Sequence, residues 1–410
     1  MLFLIACAML VPTHARAALG RPNTLDRRVN AIPTAALLHD PATSLVDPSR
    51  AAAADRLARW TLPGWLLSLA AQVALLAYFW RSGYAARLRD FLQRRIHARW
   101  LVRFVFGAAL ALLAKLASAI PDFYLYRLDR VMGLTSELAR GWAMSWLGDT
   151  LISMLAVGVL IAFVLWLVER THQWYIYTAI LVVAIGIGSA YLTPFARTLA
   201  QPPGDPVRGA LAVRLQRLEQ RAGVNLPISI ASASNRAQLG TAQVDGLANS
   251  DRLVLSRALL AAGSASEVAF AVAYELGYVR AHDPLRQALY DSLLIIVGAA
   301  LAVFVADRIG FRRDDDALSR MALVGALLCA AYVVVVPIDH AISAQMTIGA
   351  DQFAIAVTND RAAAVRSIVR QRDQGLGQVC PNILTRVFLE SAPAAGVRVA
   401  AINGVRNDCP

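Results

Sequence analysis

Charged side chains are scarce in this chain of 410 residues, because Asp, Glu, Lys and Arg together make up only 17%. Lysine is almost absent: Lys115 is the only one, so arginine carries nearly all of the positive charge behind the net charge of +12. Apolar residues reach 57%. This composition excludes an ordinary soluble globular protein and favours membrane-spanning segments.

The signatures of several enzyme classes are also missing. The sequence contains no Gly-x-Ser-x-Gly elbow, no Walker phosphate loop and no Rossmann glycine pattern. Residues 196–287 and 341–410 show no basic stripe with interleaved aromatic residues, so nucleic-acid binding has little support.

Six apolar stretches with almost no charge are long enough to cross a membrane. They cover residues 63–80, 104–120, 149–168, 174–193, 289–306 and 321–338. The sequence therefore predicts a mainly α-helical, polytopic membrane protein with about six spans, whose partner is the lipid bilayer.

The N-terminus is apolar but too short to span. Residues 1–17 end in a small-x-small site and are predicted to be a signal peptide cut after Ala17, followed by an exported segment at 18–62. The stretch lacks a basic first region, and residues 4–7 (LIAC) leave a lipoprotein cleavage box as a weaker alternative.

Arginine is concentrated in the loops at 81–103 and 307–320. Because Lys and Arg accumulate on the cytoplasmic side, this bias predicts a bacterial inner-membrane protein with residues 194–288 and the C-terminal tail in the periplasm. Cys380 and Cys409 both lie in that tail, so an exported location favours a disulfide between them. The alternative is two unpaired small apolar side chains.

The part outside the spans predicts a small α+β domain. Ser264 and Glu267 form a capping-box pattern that opens a helix. The predicted elements are a helix at 206–222, strands at 226–232 and 252–256, a helix at 267–282, and two further helices after the last span at 345–357 and 360–372.

Residues 273–282 (AYELGYVRAH) resemble the active-site helix of the membrane zinc metallopeptidases that include the CAAX prenyl proteases and the HtpX heat-shock proteases. In that family two histidines four residues apart share one helix face and bind zinc, while the glutamate between them activates water. Residues 350–354 (ADQFA) reproduce a later family motif. Weaker similarities extend the resemblance over roughly 100–372, at residues 122–124, 133–134, 146–149, 234–236, 246–247 and 252–256.

The resemblance implies a zincin-like domain built around a membrane bundle. The corresponding parts are a four-span region at 63–193, a metallopeptidase-like domain at 194–288, two spans at 289–338, and a C-terminal part at 339–410 that completes the domain.

At the family's three zinc-ligand positions, however, this sequence has Tyr274, Tyr278 and Thr347. A neutral phenol or hydroxyl is a poor zinc ligand at neutral pH. The family's groove-edge asparagine is replaced by Thr241.

Three family positions are kept: Glu275 as the general base, and His282 and Asp351 beside the metal site. These residues together with His340 form a weaker, alternative ligand set. Without zinc there is no polarised water for Glu275 to deprotonate.

The resemblance therefore favours a pseudoprotease that binds or scaffolds membrane or envelope polypeptides, and for such a protein we expect no cofactor. An active zinc metalloendopeptidase with displaced ligands is the alternative, and an assembly subunit with a vestigial groove is a third possibility. We further expect Tyr274 and Tyr278 to fill the former metal cavity, with their hydroxyls bonded to Glu275, Asp351 and His282.

Overall fold

The computed structural model describes residues 22–200, 204–231, 241–245, 252–309, 316–407 and 409. The predicted signal peptide and the motif residues at 234–236 and 246–247 lie outside this part of the chain.

Helices dominate the described residues, and a small sheet is inserted between the fourth and fifth of the long apolar helices. In chain order the elements are α1 (Pro22–Asn30), α2 (Thr34–His39), α3 (Ala42–Leu45), α4 (Pro48–Arg81), α5 (Tyr84–Arg95), α6 (Arg99–Val131), α7 (Ala139–Arg170), α8 (Trp174–Ala200), β1 (Asp205–Pro206), α9 (Gly209–Ala222), β2 (Ile228–Ile230), β3 (Ala242–Asp245), β4 (Arg252–Leu255), α10 (Arg257–Ala262), α11 (Ala265–Arg280), α12 (Asp283–Ile309), α13 (Met321–Thr358), α14 (Arg361–Gly375), α15 (Ile383–Leu389) and α16 (Ala395–Asn403).

Among the described residues, six helices are long and apolar enough to cross a membrane: α4, α6, α7, the Trp174–Leu192 part of α8, α12 and α13. Each contains one of the predicted spans, so the predicted polytopic bundle is confirmed. Large apolar side chains remain exposed along these helices; Leu151, Ile152 and Leu155 of α7 are 57%, 67% and 59% exposed. Such exposure is expected where a helix faces lipid rather than water.

The last membrane helix is longer than the sequence predicted. α13 runs without interruption from Met321 to Thr358 and contains Pro337, so the prediction of a separate helix at 345–357 is wrong. The apolar run ends at Asp339 and His340, but hydropathy marks the length of the membrane segment rather than that of the helix. One rigid element therefore carries Thr347 and Asp351 out of the bundle and into the domain.

The sheet has the strand order β1-β2-β4-β3. β2 and β4 are parallel, with Ile228 opposite Leu253, whereas β1 and β3 pair antiparallel at the two edges. Both predicted strands are present in shorter form. β3 was not predicted, because its polar sequence AQVD shows little of the alternation that signals a strand.

The domain core is formed where α11 packs between the sheet and α14. Leu253 and Leu255 of β4, Leu276 of α11 and Ile368 of α14 are each at most 1% exposed. Burying each such side chain contributes about 1.5–3 kcal/mol. α11, which carries the candidate site, is therefore held rigidly.

The N-terminal helices belong to the same core. Val29, Leu37 and Leu45, within the segment that the sequence analysis set apart as 18–62, are buried against the domain. Arg50 at the start of α4 donates through Nε to the backbone oxygen of Asp373 at 2.7 Å. This hydrogen bond joins the start of the first membrane helix to α14 within the domain.

A buried ion pair links the start of α11 to α14 and α1. The predicted capping box is present, and the Glu267 carboxylate accepts from the Ser264 backbone at 2.8 Å. The same carboxylate pairs with Arg370 at 2.9 Å, and Arg370 also donates to Asp26 and Asn30. Because Glu267 and Arg370 are almost fully buried, this network fixes the N-terminal end of the site helix.

Candidate degenerate metal site

Three hydroxyl groups meet at the centre of the candidate site. Tyr274 and Tyr278 lie one turn apart on α11, and Tyr274 Oη donates to Tyr278 Oη at 3.2 Å. Tyr278 Oη lies 3.0 Å from Thr347 Oγ1 on α13, within hydrogen-bond distance. The two rings meet edge to face with centroids 5.1 Å apart, an arrangement that aromatic pairs favour. The structure thus joins all three sequence-predicted positions in one hydrogen-bonded chain.

Asp351, one turn beyond Thr347, is neutralised by an arginine from the C-terminal tail. Arg398 donates to both carboxylate oxygens, at 2.7 and 2.8 Å, and both side chains are buried. Burial acts to lower the pKa of Arg398, but the hydrogen bonds and charge of Asp351 outweigh it and raise the pKa. The guanidinium also lies 5.7 Å from the centroid of the Tyr274 ring, close enough for a cation–π contact.

The predicted partners of the tyrosine hydroxyls are wrong. The hydroxyls bond to each other and to Thr347, because the Asp351 carboxylate already forms an ion pair with Arg398. His282 follows the last turn of α11 in the left-handed conformation, with φ of 54°, and its side chain is exposed.

Glu275 is half-buried on α11, and its carboxylate has no hydrogen bond or ion pair to any other residue that the structure describes. Burial raises the pKa of Glu275 to about 8. The Glu275 carboxyl is therefore mostly neutral in the folded protein at pH 7. Because it ionises near pH 4.5 in the unfolded chain but only near pH 8 in the folded protein, the free energy of unfolding falls as the pH rises from 4.5 to 8. A shift of the pKa in this direction works against the role of a general base near neutrality.

The other predicted positions lie apart from this centre. His340 Nδ1 lies 3.0 Å from the backbone oxygen of Val387. Thr241 precedes β3, where its backbone N–H donates to the Ser256 hydroxyl at 2.9 Å.

The residues present do not fit a zinc ion. Burial raises the pKa of Tyr274 still further above its ordinary value, so the phenol stays protonated and is a poor ligand. Among the described residues no group of three His, Cys, Asp or Glu side chains could hold a metal. The alternative set of Glu275, His282, His340 and Asp351 is therefore not assembled into a ligand cluster.

Comparison with known proteins identifies the family. Residues 209–406 match the family model described as Peptidase family M48. The chain contains a peptidase family M48 domain, which spans these residues and holds the candidate site. It is 24% identical over 337 residues to the "Uncharacterized metalloprotease YhfN" of Bacillus subtilis (strain 168), an alignment that covers 78% of this chain and 77% of that protein.

A solved structure shares the fold of this M48 protein over almost its whole length. The crystal structure of S. mikatae Ste24p superposes with a TM-score of 0.71, at 16% identity, and covers 98% of each chain. The resemblance drawn from residues 273–282 and 350–354 is therefore confirmed. M48 peptidases normally use zinc, whereas the sequence predicts Tyr274, Tyr278 and Thr347 at the three ligand positions.

Arg398 is the site residue that the sequence analysis missed. It belongs to no motif and lies 47 residues after its partner Asp351. One signal was available: Arg398 is the only charged residue in α16, whose sequence is AGVRVAAIN. A single charge in a short apolar helix indicates a buried partner, because an unpaired buried charge is costly.

We expect Tyr278→Phe to lower the free energy of unfolding by about 1–3 kcal/mol, because the lost hydroxyl bonds to both Tyr274 and Thr347. Thermal unfolding in detergent measures the effect. Tyr290→Phe is the matched control, since Tyr290 is 40% exposed and has no hydrogen bond to any described residue. A Tyr278→Phe protein as stable as the parent would show that the hydroxyl chain does not stabilise the site.

Proposed function

We propose that this M48 protein is a membrane pseudoprotease that binds or scaffolds polypeptides of the membrane or cell envelope. The observation that carries the proposal is the hydroxyl chain of Tyr274, Tyr278 and Thr347, the three residues predicted at the metal-ligand positions. These hydroxyls satisfy one another, and coordination of a cation would have to break the hydrogen bonds that stabilise them.

Two features favour retained polypeptide binding. β3 is an edge strand whose outer side pairs with no other described strand, and such edges accept an extended peptide by strand addition. A cavity of about 620 Å³ also lies beside the site, lined by Gly277 and Arg280 of α11 and by Gly349, Ala350 and Phe353 of α13. Both could hold a polypeptide without any hydrolysis.

Metal analysis of the detergent-purified protein tests the proposal. We expect substoichiometric zinc and no cleavage of casein or of membrane substrates. The control is the triple variant Tyr274→His/Tyr278→His/Thr347→Glu, which restores the family ligand set and should bind zinc stoichiometrically.

Stoichiometric zinc in the parent, removed by a chelator together with a proteolytic activity, would contradict the proposal and favour an active endopeptidase with displaced ligands. Co-purification separates a binder from a scaffold. Gly349→Trp obstructs the cavity from a position where an added Cβ meets no other atom within 4 Å. Gly148→Trp, on membrane helix α7, is its control, because a Cβ there is equally unhindered. Loss of polypeptides only with Gly349→Trp identifies a binder, and retention with both identifies a scaffold.

A further inference from the structure

A basic amphipathic helix lies across one end of the membrane bundle. α5 connects the spans α4 and α6. It begins after Gly83, which is in the left-handed conformation at φ 77°, and ends at Arg95, before Ile96 in an extended conformation. Its inner face is buried through Ala85 and Leu92 in the same apolar cluster as Trp80, Val102 and Phe106 of the adjoining spans. The bundle therefore fixes which face of α5 points outward. We call α5 the interfacial helix.

The outer face of the interfacial helix combines arginines with large aromatic rings. Tyr84 and Phe91 are 45% and 56% exposed. The Arg87 guanidinium lies 5.0 Å from the Tyr84 ring centroid, and that of Arg95 lies 5.9 Å from the Phe91 ring centroid. Exposed aromatic rings beside cations are typical of helices that lie at the headgroup level of a membrane.

The arginines on this face carry unneutralised charge. Arg87, Arg94 and Arg95 are exposed and form no ion pair with any residue that the structure describes, whereas Arg89 pairs with Asp90 and Asp316. Three guanidinium groups on a helix of 12 residues form a surface complementary to anions. A guanidinium donates two parallel hydrogen bonds to a phosphate, a geometry that a lysine ammonium cannot match.

A pocket of about 550 Å³ opens at the C-terminal end of the interfacial helix, and its lining combines polar and apolar side chains. The polar lining includes Gln93, His97 and Arg99, which precede the second span or lie at its first turn, and the apolar lining includes Val102, Leu165 and Val168 from the spans themselves. The acidic residues in the wall are Glu169 and Asp316, and each already pairs with an arginine, Arg103 and Arg89 respectively. A pocket lined by both polar and apolar side chains suits a lipid, which has a phosphate headgroup and acyl chains.

We propose that the interfacial helix and this pocket bind the headgroup of an anionic phospholipid of the surrounding bilayer. Arg87, Arg94 and Arg95 contact the phosphate oxygens, and Tyr84 and Phe91 insert at the boundary between headgroups and acyl chains. This lipid site is independent of the degenerate metal site and of whether the protein cleaves peptides.

The experiment uses the full chain purified in detergent. Native mass spectrometry counts bound lipid, and thermal unfolding reports stabilisation, as phosphatidylglycerol, phosphatidylcholine or inorganic phosphate is added. We expect phosphatidylglycerol alone to form retained adducts and to raise the melting temperature, with both effects decreasing as salt increases.

Arg87→Gln/Arg94→Gln/Arg95→Gln should raise the half-saturating phosphatidylglycerol concentration by about 100-fold, since each arginine near an anionic surface contributes about fivefold. Arg208→Gln/Arg217→Gln/Arg221→Gln removes the same charge from exposed positions at α9, outside the bundle, and should bind lipid like the parent. Arg→Lys at the three interfacial positions keeps the charge and should retain partial binding. Because adducts are counted on folded protein only, a general loss of stability does not imitate the result.

Equal binding of phosphatidylcholine, an unchanged affinity in the interfacial triple variant, or an equal loss in the α9 variant would each overturn the proposal. Stabilisation by inorganic phosphate alone, at the same concentration as by phosphatidylglycerol, would identify a free-anion site instead and overturn it as well.

Discussion

Replacing Arg398 with alanine is expected to lower the free energy of unfolding by about 3–5 kcal/mol, because the change leaves the buried Asp351 carboxylate without its cation. Arg398 makes two short hydrogen bonds to Asp351 and lies over the face of the Tyr274 ring. The variant therefore removes a charge partner and a packing partner at once. Chemical or thermal unfolding in detergent measures the loss.

Two further variants separate the buried ion pair from a general effect of losing an arginine. Arg386→Ala, at an exposed position on α15, should change stability by no more than about 0.5 kcal/mol. Arg398→Met/Asp351→Leu removes both charges and should recover much of the loss, since an apolar pair avoids the cost of an unpaired buried charge. If Arg398→Ala unfolds like the parent, the tail does not stabilise the site.

The membrane part of the fold could be predicted from the sequence because hydropathy is a local signal. Each of the six spans is a continuous apolar run, and each is found within a long helix. Packing against distant residues is not local. The burial of Val29 and Leu37 against the domain, and the extension of α13 beyond its apolar run, therefore needed the structure.

The candidate site was predicted in its positions but not in its contacts. The positions of Tyr274, Tyr278 and Thr347 could be predicted because they lie within or close to two family motifs, at residues 273–282 on α11 and 350–354 on α13. Their hydrogen-bond partners depended on Arg398, which lies outside those motifs. Once Asp351 is paired with this arginine, the tyrosine hydroxyls are left to bond to each other and to Thr347.

The C-terminal tail that supplies Arg398 is held by a covalent bond. The structure joins Cys380, which precedes α15, to Cys409 near the end of the chain as a disulfide. Gly396 of α16 lies against both sulfur atoms and leaves no room for a Cβ beside Cys409. α16 is thus fixed by the disulfide two residues before Arg398. The stability of this link should therefore affect the Arg398–Asp351 pair.

We expect the Cys380→Ser/Cys409→Ser variant to lose about 3–4 kcal/mol of unfolding free energy relative to the oxidised parent, in the chain-entropy estimate for a loop of this length. The separation of the two cysteines is 29 residues. The parent treated with reductant should unfold like the variant, and Cys329→Ala, which removes a free cysteine inside α13, should keep its sensitivity to reductant.

The same pair of cysteines tests which side of the membrane the domain occupies. The arginine-rich loops at 81–103 and 307–320 predict that the tail lies outside the cytoplasm, where a disulfide persists. The resemblance to the CAAX prenyl proteases and HtpX proteases implies the opposite, a domain in the cytosol. In a Cys7→Ala/Cys329→Ala background, a membrane-impermeant thiol reagent should label intact cells or spheroplasts only after reduction. Thiols that label without reductant, and only after the membrane is broken, would place the tail inside. The disulfide would then be absent in the cell, and only packing and charge would hold Arg398 in contact with Asp351.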